Sequence, residues 1–182
     1  MDTGHKSSTQ THAFDTGGPL GWIAVSQEDD AIVAVDFVPE PGAGVEASAA
    51  STLGSPAPVT APAAAAPTPL LANAERQLRE YLAGERTVFE LPLHARGTEF
   101  QRAVWARLAA IPYGETRTYG QIAAEVGKPL ASRAVGGANN KNPLGIVVPC
   151  HRVIGASGAL VGYASGVDHK SFLLNLESRT GE

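Results

Sequence analysis

The chain has 182 residues, 43% hydrophobic and 18% charged, with one Cys, five His and a net charge of −4. This composition suits a globular chain long enough for one domain or two small ones; it excludes an internal disulfide and argues against a thiolate-rich zinc site, so no metal is expected. The charge is uneven: residues 1–94 carry four Lys/Arg against twelve Asp/Glu, and residues 95–182 carry ten against six, so the second half could bind phosphate locally, although an ordinary solvated surface would carry the same excess.

Met1 to Gln10 is polar and lacks the apolar core of a signal peptide, and no apolar run is long enough to span a bilayer. A cytoplasmic protein with no membrane contact is expected. Met1 to Asp15 reads as frayed, and Gly17-Gly18-Pro19 as a turn. Trp22 to Val25 reads as a strand, Gln27 to Asp30 as a polar turn and Ala31 to Val38 as a second strand, giving an antiparallel hairpin.

From Glu40 to Pro69 the chain holds ten Ala and six Pro. Proline this frequent interrupts the helix that alanine favours, so the stretch reads as an extended insertion, with a short third strand around Ala57 to Ala61. Leu70 to Ala83 is an amphipathic helix, with Leu71, Ala74, Leu78, Tyr81 and Leu82 on one face and Gly84 to end it. Val88 to Leu93 is a short apolar segment leading into the second half.

Thr98-Glu99-Phe100-Gln101 is a capping box opening a helix whose apolar face is Phe100, Val104, Trp105 and Leu108. A second box, Thr118-Tyr119-Gly120-Gln121, opens a short helix with Ile122, Ala123 and Val126. Gly127-Lys128-Pro129 turns the chain, and Ser132 caps another helix, Arg133 to Ala138. Two short helices around a Gly-containing turn form a helix-turn-helix pattern, which many helical proteins also contain by chance. The second helix presents small residues and one Arg. Its adjacent glycines serve either close helix packing or close approach to a nucleic-acid groove. Asn139, Asn140 and Asn142 read as the end of that helix and a polar turn closed by Pro143.

The apolar run Ile146, Val147, Val148 reads as a buried strand that stops at Pro149 and delivers Cys150 into a turn beside His151. A lone Cys next to a His is either a small buried hydrophobe or a candidate nucleophile. Gly155 to Gly166 is a glycine-rich loop containing Tyr163. A last helix, Lys170 to Glu177, turns Phe172, Leu173 and Leu176 inward and ends on Glu177. Lys128, Lys141 and Arg152 are candidates for phosphate binding or domain packing.

The segments Thr98-Glu99-Phe100-Gln101, Ile111-Pro112-Tyr113-Gly114-Glu115-Thr116, Ser132-Arg133-Ala134-Val135-Gly136, Asn142-Pro143, Val148-Pro149-Cys150-His151-Arg152-Val153-Ile154-Gly155 and Gly162-Tyr163 together resemble the methylated-DNA–protein-cysteine methyltransferases, the O6-alkylguanine-DNA alkyltransferases. The resemblance covers roughly residues 97–178; the N-terminal part matches only in outline, and the Ala/Pro insertion is not a family hallmark. It implies an α/β (α+β) architecture. An N-terminal ribonuclease-H-like domain, residues 1–94, would carry a small antiparallel sheet and a helix. A mainly helical C-terminal domain, residues 95–182, would bind DNA and hold the site.

The resemblance also implies a reaction: single-turnover transfer of a methyl or larger alkyl group from O6 of guanine, with O4-alkylthymine as a second family substrate, onto Cys150. No cofactor takes part, the partner is double-stranded DNA containing alkylated guanine, and the protein acts as a monomer. By analogy His151 is the base, acting through water, Glu177 orients and polarises it, and Asn142 braces the turn before the cysteine. A free thiol is only a few per cent ionised at neutral pH, so the nucleophile needs such a base. Tyr119 would bond the guanine N3 and supply a proton. Ala164 would donate its backbone N–H to O6, Tyr163 would line the pocket, and the carbonyls of Cys150 and Val153 would accept from the guanine amino group. Reaching O6 requires flipping the base out of the stack. Arg133 would fill the space it leaves, while the helix formed by Ser132, Ala134, Gly136 and Gly137 would lie with Tyr119 against the minor groove.

Three other readings compete. Alkyltransferase-like proteins recognise the same lesions without transfer but carry Trp in place of the cysteine, so Cys150 speaks against that reading. A cysteine hydrolase lacks a recognisable oxyanion-hole motif here. A purely structural helix-turn-helix regulator would explain Arg133 but not the Cys-His-Glu set.

Overall fold

In the computed structural model, residues 8–40 and 66–179 are described. Three antiparallel strands come first: β1 (Gln10–Asp15), β2 (Trp22–Glu28) and β3 (Ala31–Val38), in spatial order β1-β2-β3. Helix α1 (Pro69–Leu82) packs across this sheet. Thr68 caps α1 by accepting from the Leu71 N–H, Pro69 occupies the first turn where a missing N–H costs nothing, and Gly84 follows the end at φ +78°.

The second part is mainly helical. Helix α2 (Glu99–Ala109), strand β4 (Arg117–Thr118), α3 (Tyr119–Glu125), α4 (Ser132–Asn140), a 3₁₀ turn at Cys150–Arg152, β5 (Val153–Ile154) and α5 (Val167–Arg179) follow in order. Strands β4 and β5 pair in parallel, which places the N-terminus of α3 beside the turn carrying Cys150. Both predicted capping boxes are present, at Thr98/Gln101 and Thr118/Gln121. The buried apolar residues of the two parts form a continuous cluster running from Phe14 and Ile23 through Leu78 and Trp105 to Leu173. No helix among the described residues is long and apolar enough to cross a membrane.

The free edge of β3 reaches towards the site. Ile32 exchanges backbone bonds with Pro92 and His94, and Val35 with Pro143 and Gly145. The N-terminal sheet therefore holds the turn that leads to Cys150. A Cβ at Gly145 would lie 2.9 Å from the Val35 carbonyl oxygen. Gly145→Ala is expected to destabilise the fold by about 1–3 kcal/mol, the range of overpacking against an immovable neighbour, read as a lower urea midpoint; an unchanged midpoint would refute this close approach.

Several expectations need correction. Gln10–Asp15 is not frayed but an edge strand; only Phe14 is buried in it, and its polar residues gave no alternation to read. Polar contacts help to hold it, from Thr11 to Ser26 and from His12 Nε2 to Glu75 Oε2. The polar turn is shorter than expected, because β2 runs on to Glu28. Ile146 to Val148 is not a strand. Ile146 sits at φ +66°, and the Val148 N–H bonds the Leu144 carbonyl, so this run is a tight turn that is apolar because it is buried on all sides. Ser132 does not cap α4; it is the first helical residue, and Ala131 precedes it without a side-chain cap. Asn139 and Asn140 lie inside α4 rather than after it, and Asn139 is buried. The strand expected near Ala57 and most of the Ala/Pro stretch lie outside the described residues.

Candidate active site

The Cys150–Arg152 turn is built by its neighbours. Pro149 precedes it, and the Asn142 side chain spans the loop behind it. Asn142 Nδ2 donates to the Val148 carbonyl at 2.8 Å, and its Oδ1 accepts from the Leu144 N–H at 3.1 Å. The turn closes with the Val153 N–H on the Cys150 carbonyl. Cys150 is a buried free thiol. Burial pushes its pKa up, and the Asn142 amide, the Lys170 ammonium and the Tyr163 hydroxyl oppose that without cancelling it. The resting group is therefore a neutral thiol, which a base must deprotonate before it can attack.

The next residue in the chain is the base expected from the resemblance. His151 is fully buried, and its Nε2 lies 2.9 Å from Glu177 Oε1. Burial would raise the Glu177 pKa, but bonds from His151, Arg152 and Tyr81 outweigh it and hold the group at about 2. A carboxylate can only accept, so the His151 proton is on Nε2 and the lone pair is on Nδ1. Nδ1 is buried without a partner among the described residues. Burial, opposed by Glu177, keeps His151 below the usual histidine range. The imidazole is thus neutral, with the Nδ1 lone pair unpartnered among the described residues.

Glu177 is heavily bonded. Arg152 Nε donates to both its oxygens at 3.1 and 2.9 Å, Arg152 Nη2 to Oε1 at 2.8 Å, and the Gly114 N–H to Oε2 at 3.2 Å. The Tyr81 hydroxyl donates to Oε1 at 2.5 Å. Arg152 also reaches the Ile111 carbonyl and lies over the Tyr113 ring. Of the two roles expected for Arg152, phosphate binding is corrected and packing fits: it is buried and paired with Glu177.

Lys170 reads from the sequence as a helical surface lysine, because a charge at a helix start usually faces solvent. It is fully buried, and its Nζ donates to the Val153 carbonyl at 2.5 Å and the Val161 carbonyl at 2.8 Å, tying α5 to β5 and the glycine-rich loop. The Tyr119 hydroxyl donates to the Val161 carbonyl at 2.9 Å, so in this state it is engaged by that loop. Tyr163 packs its ring edge against Phe37 of β3 and lies beside Cys150, while Ala164 is exposed in the same loop.

On α4, Val135, Ala138 and Asn139 face inward, whereas Arg133, Ala134 and Gly137 are exposed and Ser132 and Gly136 are half-buried. Trp105 Nε1 bonds the Ala138 carbonyl at 2.8 Å and anchors the inner face to α2. A Cβ at Gly137 would meet nothing within 4 Å, and one at Gly136 would make only ordinary contact with the Tyr119 ring. Internal packing therefore does not require these glycines. Among the described residues no cluster of His, Cys, Asp and Glu could hold a metal.

Two family models match the chain: the 6-O-methylguanine DNA methyltransferase ribonuclease-like domain over residues 17–95, and the DNA binding domain of the same family over residues 99–179. A methylated-DNA–protein-cysteine methyltransferase of Methanosarcina acetivorans is 64% identical over 105 residues, 58% of this chain and 67% of the relative. The crystal structure of the Mycobacterium tuberculosis O6-methylguanine methyltransferase is similar over 96% of each chain, at 37% identity and a TM-score of 0.75. A structure of the Mycobacterium tuberculosis OGT in complex with DNA is similar over 93% of each chain, at 39% identity and a TM-score of 0.74.

Proposed function

Because this chain belongs to the 6-O-methylguanine DNA methyltransferase family, we propose that it repairs alkylated DNA directly, with Cys150 as the acceptor of the alkyl group. The observation that carries this reading is the buried Cys150 thiol on a turn whose next residue is a neutral, Glu177-oriented imidazole. In the reaction His151 Nδ1 takes the thiol proton through a water, and Sγ attacks the alkyl carbon in line. The C–O6 bond breaks and its electron pair goes to the guanine. Tyr119 supplies a proton there after exchanging its bond to Val161 for the base, and its phenolate recovers a proton through solvent as the imidazolium releases one. The imidazolium that forms is stabilised by Glu177. The product is a thioether and a restored guanine, so each molecule acts once and needs no cofactor.

The substrate is an O6-alkylguanine in duplex DNA, with O4-alkylthymine as a second lesion of the same geometry. The exposed small residues of α4 support close approach to the minor groove, and Arg133 is the long side chain placed to fill the space of the flipped base. The Cys150 and Val153 carbonyls, the Ala164 N–H and Tyr163 line the receiving pocket. We place the boundary between the two domains at residues 94/95, a reading supported by the shift from acidic to basic composition there. The protein acts as a monomer, and its need for a free thiol suits the reducing cytoplasm.

The test is intact and peptide mass spectrometry after incubation with duplex DNA containing O6-methylguanine. The expected result is a gain of one CH₂ unit on the Cys150 peptide, saturating at one per protein. No gain with lesion binding retained would indicate a recognition protein, and neither gain nor binding would refute the reading.

Arg133→Ala separates flipping from chemistry. It should slow repair of duplex DNA by roughly one to two orders of magnitude, since unstacking a base costs a few kcal/mol, while reaction with the free base O6-benzylguanine stays within about twofold. Equal losses on both substrates, measured under single-turnover conditions, would remove Arg133 from the flipping role.

A further inference from the structure

Tyr81 lies on α1, in the N-terminal part, and its side chain is fully buried. Its ring sits between Phe89, at 5.3 Å between centroids, and Tyr113, at 5.9 Å. A Phe would fill this apolar slot equally well and would avoid burying a hydroxyl, a cost that only a good hydrogen bond offsets. That bond goes to Glu177 Oε1, the same oxygen that His151 Nε2 uses, and the hydroxyl oxygen stands 3.4 Å from Nε2. Since both groups are donors, they converge on one acceptor.

We propose that Tyr81 is a positioning residue of the transfer reaction, through which the N-terminal part sets how strongly Glu177 acts on His151. The inference rests on the reading of Cys150, His151 and Glu177 as a relay. The hydroxyl takes up part of the charge on Oε1. Without it, more of that charge acts on His151 and favours the imidazolium, which cannot accept the thiol proton. The other charged and titratable groups around His151 are Glu177 and Lys170 on α5, and Cys150 and Arg152 on the 3₁₀ turn, with Tyr113 behind Tyr81. Arg152 and Lys170 oppose the imidazolium, as burial does, and Glu177 favours it. Tyr81 itself stays protonated, because burial and the Glu177 charge push it far above the usual phenol range.

The experiment measures the single-turnover rate of methyl transfer from duplex O6-methylguanine to the full-length protein as a function of pH. In Tyr81→Phe the acidic limb of the profile should move to higher pH, lowering the rate about threefold at a fixed pH on that limb. The alkaline plateau should change by less than about twofold, since the neutral imidazole is the same base there. Placing 3-fluorotyrosine at position 81 strengthens the donor and should move the limb the other way. Opposite shifts cannot come from loosened packing. A limb that stays in place in both variants, or rates scaled uniformly at every pH, would overturn the proposal. His151→Ala serves as the control for the relay itself: a limb that survives this change would overturn the relay and the proposal with it, whereas a limb that vanishes there but is unmoved in both Tyr81 variants would overturn the proposal alone.

Discussion

Glu177→Gln is expected to destabilise the fold by about 3–5 kcal/mol at pH 7, the cost of removing one member of a buried ion pair. Analogy alone makes this substitution a clean probe of the relay; the structure gives it a second consequence. Glu177 is 2% exposed and accepts from Arg152, His151, Tyr81 and Gly114. A Gln amide would turn an NH₂ towards at least one of these donors and leave the Arg152 guanidinium buried without an anion. For a chain of this size that corresponds to a fall in Tm of roughly 10 °C. The pH dependence has a definite sign. Glu177 is held at about 2 in the folded protein against an ordinary value of 4.5. Its stabilisation is therefore complete above about pH 4.5 and is lost as the pH falls towards 2. The gap between native and variant, read from urea midpoints, should narrow over that window. A loss under ~1 kcal/mol at pH 7 would mean that Arg152 finds another partner, and a gap that stayed constant down to pH 2 would show that charge is not its source. Transfer also slows, by the two to four orders of magnitude a positioned base provides. That rate is informative only when normalised to the folded fraction.

The buried network around Glu177 explains what the sequence could and could not disclose. Cys150 and His151 are readable because a short, specific motif carries them, and Glu177 only through the family resemblance, since a Glu at a helix end alone reads as surface. The capping boxes at Thr98 and Thr118 are readable because both partners lie within one turn. Tyr81 reads as one more apolar position of α1; its hydrogen-bond partner is 96 residues away in the chain. Lys170 and Arg152 carry charges that usually face solvent, and only the folded structure shows that they are buried against carbonyls and a carboxylate. Strand β1 escapes detection because it is an edge strand whose pairing is made by backbone groups that carry no sequence signal. Ile146 to Val148 misleads for the opposite reason: an apolar run reports burial, and a buried turn is as apolar as a buried strand.

Cys150→Ala is expected to abolish alkyl transfer completely while leaving lesion binding within about threefold, since the proposed nucleophile and the proposed DNA-contact surface sit on different elements. The loss is total because the sequence holds no second thiol, and no other group at the site can stand in. Arg152 and Lys170 are occupied and cationic, the Nδ1 lone pair of His151 belongs to a neutral imidazole, a far weaker nucleophile than a thiolate, and the Tyr119 and Tyr163 hydroxyls are both pushed up by burial and so are poor nucleophiles at neutral pH. Cys150→Ser should be equally inactive, because a buried serine hydroxyl is far harder to ionise than a thiol and His151 cannot make up the difference. Binding survives because the exposed face of α4, with Arg133, Ala134 and Gly137, is anchored from behind by Val135, Ala138 and the Trp105 bond, none of which involves Cys150. Removing one small buried sulfur costs about 1 kcal/mol or less, so the variant remains folded for the measurement. Fluorescence anisotropy with O6-methylguanine duplex, set beside label transfer, reads both quantities. Residual transfer in Cys150→Ala would move the acceptor to another residue. A joint loss of binding and transfer would mean that the thiol, rather than the α4 surface, supplies the lesion affinity, and that recognition and chemistry share one contact.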